Sequence, residues 1–153
     1  MRTLADSLLQ RDIALNLKAS DQHDALEEIL AALRSDHRVR DWEKLRSSLS
    51  TSNLGTAFNE TSQIMLLHHG RTESVSELVL AVGRSCDGIP VQGSLQPIGL
   101  IFVAAIPDAL NNEYLRILGA ISRICSSEEV VKSLMNAQDE AEFIAHLQKG
   151  CLL

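Results

Sequence analysis

The sequence predicts one α/β domain spanning residues 1–153, a mixed β-sheet flanked by helices on both faces. Three observations lead there. Short aliphatic runs at 64–67, 78–82 and 98–106 read as buried strands. Segments with apolar residues at helical spacing lie before them. The last third, from Leu115 onward, is helical in pattern throughout. At 153 residues the chain is long enough to bury one core, and with 45% apolar and 22% charged residues it is not a disordered polymer.

Taken in order, Leu4, Leu8 and Leu9 suggest a short opening helix, and Ile13, Leu15 and Leu17 alternate as in a half-buried strand. Ser20 is the expected N-cap of a helix that buries Leu26, Ile29, Leu30 and Leu33. Residues 34–40 are polar and turn-like. Trp42, Leu45 and Leu49 mark a second helix, ending in the Ser/Thr/Asn-rich stretch 47–53. Residues 54–63 read as a loop, and Ile64–Leu67 as a strand. After a turn at 73–76 comes the strand Leu78–Val82, then a turn over 83–88 and a brief strand at 89–91. Ile98–Ile106 is a long strand stopped by Pro107. Leu115, Leu118, Ile121 and Ile124 stripe a helix; Ser126 with Glu129 forms an expected capping box for the next; Gln138–Lys149 is the last.

Composition removes several function classes. A net charge of −6 argues against gripping a phosphate backbone, and 3% aromatics leaves little for base stacking, so no nucleic-acid partner is expected. Cys86, Cys125 and Cys151 form no Cys-x-x-Cys pair, which points to free thiols rather than a zinc site or disulfide framework. The N-terminus lacks the apolar core of a signal peptide, and the longest apolar run is too short to cross a bilayer. A cytoplasmic protein with no direct membrane insertion is expected.

The chemistry concentrates at His68-His69-Gly70-Arg71, where the apolar run Ile64–Leu67 ends. Imidazole titrates nearest physiological pH, so its neutral form can attack phosphorus. Gly70 lets the backbone approach a ligand closely, and Arg71 can pair with phosphate oxygens. The plainer alternative is a surface loop with two solvated histidines and a solubility arginine. A metal site is not expected: neighbours on a strand point to opposite faces, so the two rings cannot easily share an ion. His23, His37 and His146 fall in helical or loop contexts and read as incidental.

The order of elements and the residues around His69 resemble the type-2 enzyme IIA domains of the bacterial phosphotransferase system (PTS), the fructose, mannitol and nitrogen-regulatory branch. In that family a strand ends in a pattern close to Ala-hydrophobic-Pro-His-(Ala/Gly)-Arg. Leu66-Leu67-His68-His69-Gly70-Arg71 matches it, with His68 where the family has proline. Leu80–Ser85 with Gly88-Ile89, Ile98–Pro107 and Glu113–Leu118 resemble later family segments in the same order. The resemblance implies the family's fold. It also implies a phosphoryl carrier of the sugar PTS, with His69 as phosphoryl acceptor and no cofactor. Its partners would be the histidine phosphocarrier protein and a permease cytoplasmic domain.

The departures bear on activity. The family's Arg-Glu pair sixteen residues before the nucleophile is Asn53-Leu54 here, and its second active-site histidine is matched by Tyr114. Phosphoryl transfer depends on positioning and on donors around the equatorial oxygens. Arg71, Arg84, His68, the Asn53 amide and the Tyr114 hydroxyl are the candidates for that role. The last two bring no charge, and a charge-assisted bond is roughly twice as strong as a neutral one. Two readings follow: an active carrier, or a regulatory module of nitrogen-regulatory type that binds a target protein with weak or lost phosphotransfer.

Overall fold

Leu8 and Leu9, expected in an opening helix, begin a strand instead. The computed structural model describes residues 5–51, 57–59, 64–90, 97–108 and 111–151; Leu4 lies outside them. Among the described residues Ala5–Ser7 forms one 3-10 turn before strand β1 (Leu8–Ala14). Leucine spacing over so few residues fits either element, and the strand wins because it pairs with a neighbour from mid-chain.

Helix α1 (Gln22–Ala32) is capped by Asp21, one residue past the expected Ser20; its side chain accepts from the Asp24 amide at 2.8 Å. Helix α2 (Trp42–Thr51) starts behind Asp41, whose carboxylate takes the Lys44 amide at 3.1 Å. Trp42 joins the two helices by donating its indole N–H to Leu30 O at 2.7 Å. Strand β2 (Ala57–Asn59) falls inside the expected loop, and β3 (Ile64–Thr72) runs on through the histidine pair.

Strand β4 (Val79–Ile89) continues through the expected turn, and β5 (Ile98–Pro107) matches the long apolar run. Of the brief strand expected at 89–91, Ile89 belongs to β4 and Val91 lies outside the described residues. The turn signals at 83–88 are overridden because Val79–Arg84 ladder onto β5. They survive as a register irregularity between Arg84 and Ile89, and as a positive φ of 82° at Gly88.

Helices α3 (Asn111–Cys125), α4 (Glu128–Met135) and α5 (Glu140–Cys151) close the fold. The cap of α4 is Ser127, accepting from the Val130 amide at 3.3 Å, whereas Ser126 donates back to Ser122 O. Asp139 accepts from the Glu142 amide and Glu142 from the Gln138 amide, so the capping-box logic expected before α4 operates at α5.

The sheet order is β1-β4-β5-β3-β2. Strands β1 and β4 are parallel, β4 and β5 antiparallel, β5 and β3 parallel, β3 and β2 antiparallel, which makes the sheet mixed. Central β5 is buried on both sides, so it reads as an unbroken apolar run. Its alternation divides the core in two. Leu100, Phe102, Ala104 and Ile106 pack with Leu80, Val82 and the helical residues Ile121, Leu134, Phe143 and Leu147. Ile101, Val103 and Ala105 pack with Val79, Ala81 and the α1–α2 residues Ile29, Leu30, Leu45 and Leu49. Helices therefore cover both faces. No helix among the described residues is long and apolar enough to cross a membrane.

Candidate functional site

His68 and His69 lie in β3, four and three residues from its end at Thr72. The ladder to β5 pairs Leu66 with Phe102, His68 with Val103, His69 with Ala104, Gly70 with Ala105, Arg71 with Ile106 and Thr72 with Pro107. Between Leu66 and His68 the register shifts: two steps on β3 match one on β5, and Leu67 is the extra residue. Such a bulge changes which sheet row each following residue joins. Unshifted pairing from Leu66 would set His69 beside Ala105 and Val79, in the row of the α1–α2 layer. With the bulge its neighbours are Ala104 and, one strand further, Leu80. Ala104 and Leu80 belong to the core shared with α3–α5.

Tyr114 stands in the first turn of α3. Pro107 pairs with Thr72 at the end of the β3–β5 ladder, and α3 begins four residues later, at Asn111. Four residues span at most about 14 Å, so the start of α3 stays at the sheet end where β3 terminates. From there α3 runs over the face that contains Ala104, burying Ile121 and Ile124 in the same core. The fold thus brings the Tyr114 backbone and the His69 row to one end and one layer of the sheet. Asn53 lies outside the described residues.

Arg84, expected to pair with phosphate, has a different employment. It is 6% exposed and donates from Nε to Leu15 O at 3.1 Å and from Nη1 to Leu134 O and Ala137 O at 3.0 and 2.8 Å. Its guanidinium closes the C-terminal end of α4 and fastens β4 to the segment after β1. A buried cation holding three backbone carbonyls is not presented to an incoming anion, which corrects the expectation. Cys125 is equally inert: burial pushes its thiol up to about 12.

Sequence reasoning did not find the bulge at Leu67, which has no local signature because it exists only against β5. It also passed over a buried polar cluster of Asp12, Asp36 and Arg38. These residues sit in stretches that read as a strand and a polar turn, and only long-range packing joins them.

The chain matches the family described as "Phosphoenolpyruvate-dependent sugar phosphotransferase system, EIIA 2" over residues 7–150. It is 26% identical over 144 residues to the "PTS system fructose-specific EIIABC component" of Bacillus subtilis, covering 92% of this chain and 22% of that protein. It is 33% identical over 73 residues to the "PTS system fructose-specific EIIA component" of Haloferax volcanii, covering 47% of each. The chain therefore spans less than half the length of either relative. In three dimensions it resembles nitrogen regulatory protein IIA-Ntr from Neisseria meningitidis, with a TM-score of 0.78 at 19% identity, covering 94% of this chain and 98% of that one. That likeness is one of fold. With the family match running over residues 7–150, the chain belongs to the EIIA type-2 family of the phosphoenolpyruvate-dependent sugar phosphotransferase system.

Proposed function

We propose that this chain is a phosphoryl carrier in which His69 takes a phosphoryl group from the histidine phosphocarrier protein and passes it to a permease cytoplasmic domain. The observation that carries the reading is the placement of His69-Gly70-Arg71 at the end of β3, paired with Ala104–Ile106, in a chain of this family. A neutral ring nitrogen of His69 attacks phosphorus; the new N–P bond forms as the donor's N–P bond breaks, and the donor histidine leaves neutral. Arg71, His68, Tyr114 and Asn53 are the groups proposed to hold the equatorial oxygens as charge spreads onto them.

The second reading, a regulatory module that binds a target protein and transfers phosphate slowly or not at all, has its own support. Two uncharged residues, Asn53 and Tyr114, replace the arginine and histidine expected from the family pattern, and Arg84 is engaged with the backbone. Each ~1.4 kcal/mol of lost transition-state stabilisation slows transfer tenfold, so the carrier is expected to be slower than a fully equipped relative by orders of magnitude.

Incubation with the general phosphotransferase proteins and labelled phosphoenolpyruvate separates the two. Label that is acid-labile and base-stable, lost in His69→Ala and retained in His68→Ala, establishes the carrier. A natively folded wild-type chain that takes up no label sinks it in favour of the regulatory module. Label lost only in His68→Ala moves the acceptor by one residue and overturns the assignment.

A further inference from the structure

Asp12, Asp36 and Arg38 are 1%, 2% and 3% exposed, two carboxylates and one guanidinium sealed in the fold. Arg38 Nη2 contacts Asp12 Oδ2 at 3.1 Å and Asp36 Oδ2 at 2.8 Å, and its Nε donates to Asp36 Oδ1 at 3.0 Å. Nη1 reaches two backbone carbonyls far apart in sequence, Ser7 O at 2.9 Å and Leu78 O at 3.2 Å. Asp12 comes within reach because β1 is irregular: Leu8 to Ile13 is five steps against two from Leu80 to Val82 on β4.

The guanidinium sits at the centre of a larger stitch. Arg38 O accepts from the Ser76 amide at 2.9 Å, Ser74 O accepts from the Arg40 amide at 2.6 Å, and Val39 bridges to Val75. The 36–41 segment is thereby fastened to the turn that leads from Thr72, the end of β3, into β4. The cluster is unbalanced, however. Asp36 takes two side-chain bonds from Arg38 and the Arg38 amide at 2.9 Å, but Asp12 receives one bond, and its Oδ1 is buried with no hydrogen-bond partner among the described residues. The Ser7 hydroxyl is buried and unsatisfied in the same way. Two ionised carboxylates against one cation would leave a net buried negative charge and an orphaned oxygen, both costly.

We infer that Asp12, Asp36 and Arg38 form a proton-dependent latch: one proton held by Asp12 and shared toward Asp36 locks the 36–41 segment onto the β3–β4 turn, and its release to solvent loosens that lock. With the proton in place the trio is neutral, and Asp12 gains a donor for its neighbour's carboxylate. Without it the two carboxylates repel inside a low-dielectric site, and Asp12 is driven toward water, away from Arg38.

The titration behaviour agrees with the geometry. Burial, then the hydrogen bond and negative charge of Asp36, raise Asp12 from the usual 3.8 to about 8 against the pull of Arg38. Burial works against ionised Asp36, but the bonds from Arg38 and Asp12 outweigh it and hold that carboxyl well below the usual range. Arg38 loses by burial and gains more from Asp36, Asp12 and Glu77, the last bearing on it from the turn. Asp36 and Arg38, both on the segment that carries the latch, are the charged groups bearing on Asp12 among the described residues. Since folded Asp12 keeps a proton that the unfolded chain gives up, its stabilising contribution is complete at acid pH and disappears between about 4 and about 8. Asp36 has the opposite sign, and its contribution is lost as pH falls below about 4.

Two measurements on the full chain test the latch. Carboxyl 13C NMR, with Asp12 identified by its loss in Asp12→Asn, should show that group titrating above pH 6 and Asp36 ionised throughout. Amide exchange corrected for the intrinsic rate should show the Arg40 and Ser76 amides losing tenfold or more protection between pH 6 and 9, while the Phe102 amide of β5 does not. Asparagine keeps the neutral shape of protonated aspartate, so Asp12→Asn should flatten that dependence. Asp12 titrating below pH 5, or Arg40 and Ser76 protection that is flat in the wild-type chain, overturns the proposal. The wild-type exchange reading stands even if the variant fails to fold.

Discussion

Two buried arginines do similar mechanical work with different partners. Arg84 ties β4 to α4 and to the segment after β1 through carbonyls alone; Arg38 ties its segment to the Ser7 and Leu78 carbonyls and to the carboxylates of Asp12 in β1 and of its neighbour Asp36. Carbonyls carry no proton to exchange, so the Arg84 anchor should hold equally across neutral pH. The Arg38 anchor inherits the titration of its acids. The end of the sheet where β3 terminates is thus fastened by the anchor that pH can alter, and the middle of β4 by one that it cannot.

Removing Arg38 should have the largest effect. Arg38→Met strands Asp12 and Asp36 without their cation, and breaking a buried pair by deleting one partner is worth about 3–5 kcal/mol. Urea denaturation at pH 7 should show a loss of that size or outright unfolding, with part of it recovered as pH falls toward 5 and the carboxyls take up protons. A loss under 1 kcal/mol would mean the acids find water easily and the anchor is weak. Arg84→Met should follow. Orphaning a buried acceptor is worth ~1–3 kcal/mol, and the carbonyls at the end of α4 can partly reach water. The expected loss is about 2–4 kcal/mol, unchanged between pH 5 and 8. A clear pH dependence in this variant would erase the contrast between the two anchors.

Neither anchor was legible in the sequence, for a physical reason. The polar run 34–40 has the composition of a solvated turn, and nothing local says that Arg38 meets Asp12, 26 residues away, or Leu78, 40 away. Arg84 was singled out for its charge, and its burial depends on carbonyls 50 and 53 residues downstream. What was legible is what periodicity encodes. The β5 run, the α1 and α5 stripes and the helices on both sheet faces follow from the residues themselves. At the candidate site the His-Gly-Arg motif and its place at a strand end could be read directly. The bulge at Leu67 that assigns His69 to its sheet row could not, because register belongs to a pair of strands.

The smallest expected effect sharpens the comparison by testing what else holds the strand that carries Arg84. Gly83 precedes it and looks to the opposite face. A Cβ there would stand 2.5 Å from Ile29 Cδ1, 2.7 Å from Ile29 Cγ1 and 2.8 Å from Leu17 Cδ1. Two of those atoms are terminal methyls, but Ile29 Cγ1 is an inner carbon of a buried β-branched side chain, so Gly83→Ala should force Ile29 to shift, at a cost within the ~1–3 kcal/mol typical of overpacking. Ile29→Val removes the closest of them, and in the double variant the two substitutions should couple favourably by ~0.5 kcal/mol or more. Additive effects would mean that α1 moves as a body away from β4. In that case the polar grip of Arg84 on one face, rather than packing on the other, fixes the position of this strand.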